Sequence, residues 1–191
     1  TPYASPFYKD NLMPVGNLRE SKKGAERANA IVFSKTPENI NPTLKKGMLE
    51  RLHLFAHQKA HFSHINYCTW RCISTNKEFT SDQKYSITLV SGIVNPKPLV
   101  EQLENKGYSV NQLAFKDHHS YTINDAQKIL AKYNADESAK KLILTTEKDA
   151  TKLRELLAHF EDANFYYIPI DIAFSEQEIF DRQILNYVAK N

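Results

Sequence analysis

The chain is poor in cysteine and glycine, and it has no long apolar run. Two cysteines among 191 residues, Cys68 and Cys72, cannot form a disulfide framework, which favours a reducing compartment. The five glycines are Gly16, Gly24, Gly47, Gly92 and Gly107. None falls in a G-x-x-x-x-G-K-[ST] loop or a G-x-G-x-x-G turn, so a nucleotide phosphate has no dedicated cradle here. No apolar stretch approaches the ~20 residues of a membrane-spanning helix, and the start lacks a signal-peptide pattern. No Lys/Arg cluster is interleaved with aromatics, so a nucleic-acid partner is not expected.

What is present fits a folded domain. At 191 residues and 41% hydrophobic, the chain can bury about 70% of the surface it exposes when unfolded. Its opening at Thr1-Pro2-Tyr3 reads as an engineered or proteolytic start, so an incomplete chain is expected. Charge is uneven: residues 1–100 carry +7 and residues 101–191 carry −4. The basic half suits an anionic partner or is ordinary solvated charge.

Hydrophobic periodicity alternates between short strands and helices. Strands are expected at 30–34, 64–73, 86–90, 108–115, 142–145 and 165–170. Helices are expected at 42–57 (Leu44, Met48, Leu52 and Phe55 on one face), 98–106, 123–133, 148–160 and 176–189 (Ile179, Phe180, Ile184 and Val188 inward). Repeated β-loop-α units imply an α/β fold, a mostly parallel Rossmann-like sheet flanked by helices, with a small antiparallel addition allowed for. Residues 1–25 read as an extended lead-in belonging to a neighbouring domain's interface, and residues 26–191 as the α/β domain.

Ligands of open parallel sheets bind beyond the carboxyl ends of the strands. Three polar clusters fall at such ends: Ser91-Gly92-Ile93-Val94-Asn95-Pro96, Asp117-His118-His119, and Thr145-Thr146-Glu147-Lys148-Asp149. Each has a plain structural alternative. Gly92 and Pro96 suffice as turn residues, and Thr146 with Asp149 has capping-box spacing. Lys148 opposes the dipole in a first helical turn, so it needs another reason to be there, such as an anion. Asp117 beside His118 can fix a tautomer and raise the basicity of a proton acceptor. A metal is not expected: His53, His57, His61 and His64 have near-helical spacing, but no carboxylate lies between His53 and His64. Cys68 and Cys72, four apart on one expected strand, look like packed thiols on one face.

The stretch Pro14-Val15-Gly16-Asn17-Leu18-Arg19-Glu20 resembles the P-x-G-x-L-R-E segment of the tetraacyldisaccharide 4′-kinases. Further matches follow in the family's order: Gly92-Ile93 with Asn95-Pro96, then Phe115 with Asp117-His118 and Tyr121, then Thr146-Glu147-Lys148-Asp149-Ala150. The resemblance covers essentially this whole chain but only the C-terminal portion of the family's sequence. It implies phosphoryl transfer from ATP, with Mg²⁺, to the 4′-hydroxyl of tetraacyldisaccharide 1-phosphate. It also implies peripheral contact with the cytoplasmic face of the bacterial inner membrane. By the same resemblance His118, the first histidine after the candidate Asp117, is the catalytic histidine and acts with a carboxylate from the upstream part of the family's sequence to deprotonate the sugar hydroxyl; Arg19 binds phosphate, and Glu20 contacts metal or hydroxyl. Lys148 is a further candidate for neutralising phosphate, and Gly92, Asn95, Thr146 and Glu147 belong to the site loops. The phosphate loop and acidic metal-binding segment lie upstream in the family, so the fragment alone is expected to be inactive. Two other readings are a non-catalytic Rossmann-like partner-binding domain and, from Asp-His-His, a metal-dependent phosphoesterase of the DHH type.

Overall fold

Residues 1–190 are described by a computed structural model. The chain forms two compact units, Thr1–Asn66 with Asp171 onward, and Tyr67–Ile170. This division cuts across the boundary expected at residues 25 and 26.

In the first unit, β1 (Ala30–Phe33) pairs in parallel with β2 (Lys59–Tyr67), and β8 (Ile170–Phe174) completes a three-stranded sheet. The lead-in does not stand clear of this unit: Tyr3 N–H donates to Ser34 O at 2.8 Å and Ser34 N–H to Thr1 O at 2.9 Å. Further on, the Asp10 carboxylate accepts the backbone amides of Asn11 and Asn17 and closes a turn over Gly16. Helix α1 (Pro42–Leu52) starts on the Asn41 cap and stops at His53, whose φ of 47° is left-handed. The expected helix over 42–57 is therefore five residues too long, because periodicity does not reveal a left-handed stop. Helix α5 (Gln177–Lys190) forms where expected, but no residue in it is buried. Ile179, Ile184 and Val188, expected inward, are 47%, 42% and 66% exposed.

The second unit carries a five-stranded sheet in the order β3-β7-β6-β4-β5. Here β3 is Arg71–Cys72, β4 Ser86–Ser91, β5 Ser109–Ala114, β6 Lys141–Thr146 and β7 Phe165–Ile168. Strands β5, β4, β6 and β7 are mutually parallel, and β3 pairs antiparallel with β7. The mixed α/β class and its small antiparallel addition are thus present. The single strand expected over 64–73 is instead β2 and β3, with Cys68 in the break between them. The two cysteines therefore do not share a strand face.

Both faces of this sheet are covered, which is why β4 is buried along its whole length. Alternating residues divide between two cores. Ile87, Leu89, Leu142 and Leu144 meet Leu99 and Leu103 of α2 (Lys97–Asn105). Val90 and Ile143 meet Ala126 and Ile129 of α3 (Ile123–Asn134) and Ala150 and Leu153 of α4 (Glu147–Leu153). Each fully buried Leu or Ile contributes about 1.5–3 kcal/mol. Beyond α4 the chain continues as a 3₁₀ helix, Arg154–Phe160, so the expected helix over 148–160 changes form midway. The chain leaves β4 to one side, towards β5, and returns to the other, towards β6. In open parallel sheets, ligands bind beyond the carboxyl ends of the strands at such a reversal, which here lies at the ends of β4 and β6.

Candidate active site

Three loops meet at that end of the second unit. The first is the turn after β4. Gly92 is buried, and its N–H donates to Asp149 Oδ2 at 2.8 Å. A Cβ at Gly92 would lie 2.9 Å from Asp149 Oδ1 and 3.2 Å from both Lys116 O and the Tyr121 hydroxyl. Glycine is therefore required here by close approach rather than by backbone angle. Asn95, in the same turn, accepts Lys97 N–H at 3.2 Å and is engaged in starting α2.

The second loop follows β5 and divides its two histidines sharply. His118 has φ of 59° and a side chain 79% exposed, with Nε2 3.5 Å from Asp117 Oδ2. His119 turns the other way. It stacks on Phe115, meets Tyr121 edge-on, and its Nε2 lies 2.9 Å from Asp125 Oδ2. Asp125 also closes the capping box of α3, accepting Thr122 N–H at 3.0 Å and the Thr122 hydroxyl at 2.8 Å. Burial raises the Asp125 carboxyl, but the hydrogen bonds from His119 and Thr122 outweigh it and bring it to about 2. His119 is thus an anchor of the loop, and His118 is the ring presented to solvent.

The third loop is the junction of β6 and α4. Thr146 caps α4, accepting Asp149 N–H and donating to Asp149 Oδ2 at 2.7 Å. The capping expectation for Thr146 and Asp149 therefore holds, but Asp149 also reaches across to Gly92. Glu147 is exposed in the first turn, where its charge suits the helix dipole. Lys148, which the dipole disfavours, has a partner: its Nζ donates to Asp117 Oδ1 at 2.5 Å and to Gly92 O at 3.3 Å. That hydrogen bond, ahead of the nearby His118, holds the Asp117 carboxyl below its ordinary range. The cation expected to face phosphate is bound to the carboxylate beside His118.

The structure thus brings Gly92, Asp117, His118, Thr146, Lys148 and Asp149 into one network. Arg19 and Glu20 belong to the first unit. Arg19 is exposed there, and Glu20 Oε2 pairs with Arg27 Nη2 at 2.9 Å. Sequence reasoning passed over Asp125, although Thr122-x-x-Asp125 ahead of an apolar helix is a readable capping signal. Of the histidine run, His53 ends α1 and His61 is buried in β2 against Gln183 Oε1 at 2.7 Å. Among the described residues no group of three or more His, Cys, Asp or Glu is placed to hold a metal ion. Among the described residues there is thus no ready-made ligand cluster for the metal of a DHH-type phosphoesterase, nor for Mg²⁺.

Residues 2–189 match the family model of the tetraacyldisaccharide-1-P 4′-kinases, LpxK. The tetraacyldisaccharide 4′-kinase of Cytophaga hutchinsonii is 38% identical over 191 residues, covering 98% of this chain and 52% of that protein. The one from Bacteroides thetaiotaomicron is 33% identical over 206 residues, covering 100% of this chain and 54% of that protein. Among solved structures, Aquifex aeolicus LpxK in complex with ATP superposes with a TM-score of 0.58 at 22% identity. That match covers 93% of this chain and 48% of the other, and it supports the fold. The chain spans about half the length of the curated relatives it matches. It belongs to the tetraacyldisaccharide 4′-kinase family.

Proposed function

We propose that this chain is the proton-accepting part of an ATP- and Mg²⁺-dependent kinase that phosphorylates the 4′-hydroxyl of tetraacyldisaccharide 1-phosphate. The observation that carries this reading is the Asp117-His118 pair at the carboxyl end of β5, braced by Lys148 from the start of α4. Phosphoryl transfer depends mostly on positioning and charge neutralisation. Asp117 has its Oδ1 committed to Lys148 and turns Oδ2 towards His118 Nε2. An imidazole whose Nε2–H is directed at a carboxylate leaves Nδ1 free to take a proton from an incoming hydroxyl. The 3.5 Å separation is longer than a hydrogen bond, and contacts of this kind tighten when substrate binds. His118 is exposed enough to meet a sugar hydroxyl, whereas His119 is half-buried and held by Asp125.

Bound Mg²⁺ and ATP would supply charge neutralisation and the transferred phosphoryl group. This chain has neither a phosphate loop in its sequence nor a carboxylate cage among its described residues. We therefore assign those elements to the part of the family sequence that it does not span. Arg19, a forked donor, is assigned to a substrate or nucleotide phosphate, and Glu20 to a hydroxyl or metal contact. The proposed acceptor is a lipid, and from the family resemblance we assign the reaction to the cytoplasmic face of the inner membrane. We take the contact there to be peripheral, as the family resemblance implies; no helix of the described residues is long and apolar enough to cross a bilayer.

The test is transfer of radiolabelled phosphate from ATP to the tetraacyldisaccharide. It should occur with a protein of the relatives' full length carrying this segment, and not with the 191-residue chain alone. No transfer by the full-length protein would refute the kinase reading. Turnover by the short chain would refute the assignment of the nucleotide site elsewhere.

A further inference from the structure

Asp149 has no solvent exposure, sits in the first turn of α4, and reaches beyond its own helix. Capping α4 needs only the Thr146 hydroxyl. The carboxylate does more, because Oδ2 accepts the Gly92 N–H at 2.8 Å from the end of another strand. Its Oδ1 and the Tyr121 hydroxyl are both buried, and both flank the space where Gly92 lacks a Cβ. Burial, then the charge of Asp149, push the Tyr121 phenol far above its ordinary value. Tyr121 therefore keeps its proton in that space. One residue earlier, Lys148 donates to Gly92 O and to Asp117 Oδ1. Two consecutive residues of α4 thus hold Gly92, one by its N–H and the other by its carbonyl. The same lysine continues to the carboxylate beside His118.

We infer that Asp149 is a positioning residue of the kinase reaction: by fixing Gly92 to the start of α4, it sets the line along which Lys148 reaches Asp117 and so orients His118. This rests on the function proposed above. Asp149 is fully buried, and its effect is transmitted through Lys148. Displacement of a catalytic group by about 1 Å is enough to cost on the order of 10²-fold in rate. Asparagine is a near-isosteric probe, because its amide oxygen can keep both acceptor contacts of Oδ2, to Gly92 N–H and to the Thr146 hydroxyl.

The experiment is steady-state kinetics of the full-length protein with ATP and tetraacyldisaccharide 1-phosphate. The variants are Asp149→Ala, Asp149→Asn, Lys148→Met, the Asp149→Ala/Lys148→Met double variant, and His118→Ala. Asp149→Ala should lower kcat about 10- to 100-fold while the KM for ATP stays within about twofold. Asp149→Asn should recover most of kcat. The double variant should be no slower than the slower single, because groups acting in series are not additive. Amide exchange at Gly92 should accelerate in Asp149→Ala and not in Asp149→Asn. If Asp149→Ala does not fold, Asp149→Glu, which displaces the carboxylate by one methylene, is held to the same expectations. Multiplying losses in the double variant, or an Asn variant as slow as the Ala variant, would overturn the inference. Wild-type kcat in Asp149→Ala beside an inactive His118→Ala overturns it alone. Wild-type kcat in His118→Ala overturns it together with the reading on which it rests.

Discussion

Replacing Asp125 by alanine should destabilise the protein by about 3 kcal/mol at neutral pH, with a loss that depends on acid. Its Oδ2 accepts from Thr122 N–H, the Thr122 hydroxyl and His119 Nε2, all within 3.0 Å. A helix cap is worth about 1 kcal/mol, and a hydrogen bond to a charged group about 1.5–3 kcal/mol. The exposed Lys128 contact at 3.4 Å adds little. The pH dependence has a definite sign. The folded carboxyl titrates at about 2 against an ordinary 3.8, so its contribution is full above the unfolded value and lost as pH falls through the folded one. The shift corresponds to roughly 2 kcal/mol. About half of that, roughly 1 kcal/mol, should be gone by pH ~3. Urea denaturation of wild type, Asp125→Ala and Asp125→Asn, from pH ~7 to pH ~3, measures it directly. Stability differences that do not narrow on acidification, or a loss below ~0.5 kcal/mol at neutral pH, would refute the reasoning.

Two further predictions rest on different contacts. Gly92→Ala brings a methyl group to 2.9 Å from Asp149 Oδ1 and should cost about 1–3 kcal/mol; an unchanged urea midpoint would mean the turn relaxes freely. Burial raises the Cys72 thiol, but hydrogen bonds from Ser74 and Thr75 outweigh it and bring it to about 7. Its alkylation by iodoacetamide should therefore be half-maximal near that pH, and Ser74→Ala should move the profile upward; a profile unmoved by Ser74→Ala would remove that hydrogen bond from the account.

Much of the second unit was legible in the sequence because its elements are strongly patterned. The apolar runs of β4 and β6 are short, bounded and buried on both faces. The polar clusters after β4, β5 and β6 do converge, as parallel strands require. Less legible were features set by contacts across the fold. Nothing local to Lys148 names Asp117 as its partner, and Asp149 reads as a helix cap whether or not it also holds Gly92. The two adjacent histidines are equivalent by composition. The resemblance singles out His118, and the physical difference lies in the left-handed backbone at His118 and in the Phe115, Tyr121 and Asp125 contacts of His119. In α5 the apolar positions were recognised, but periodicity reports a stripe and not what covers it. The stripe is exposed at Ile184 and Val188.

In the proposed mechanism the exposed His118 takes the proton, and the half-buried His119 only holds the loop. The most direct measurement is kcat for 4′-phosphorylation by full-length His118→Ala and His119→Ala proteins at saturating ATP. Loss of a general base costs roughly 10²–10⁴-fold. His118→Ala should fall in that range with little change in the KM for ATP, and His119→Ala should retain more activity and lose stability instead. An inactive His119→Ala beside an active His118→Ala would contradict the account, as would near-normal kcat in both.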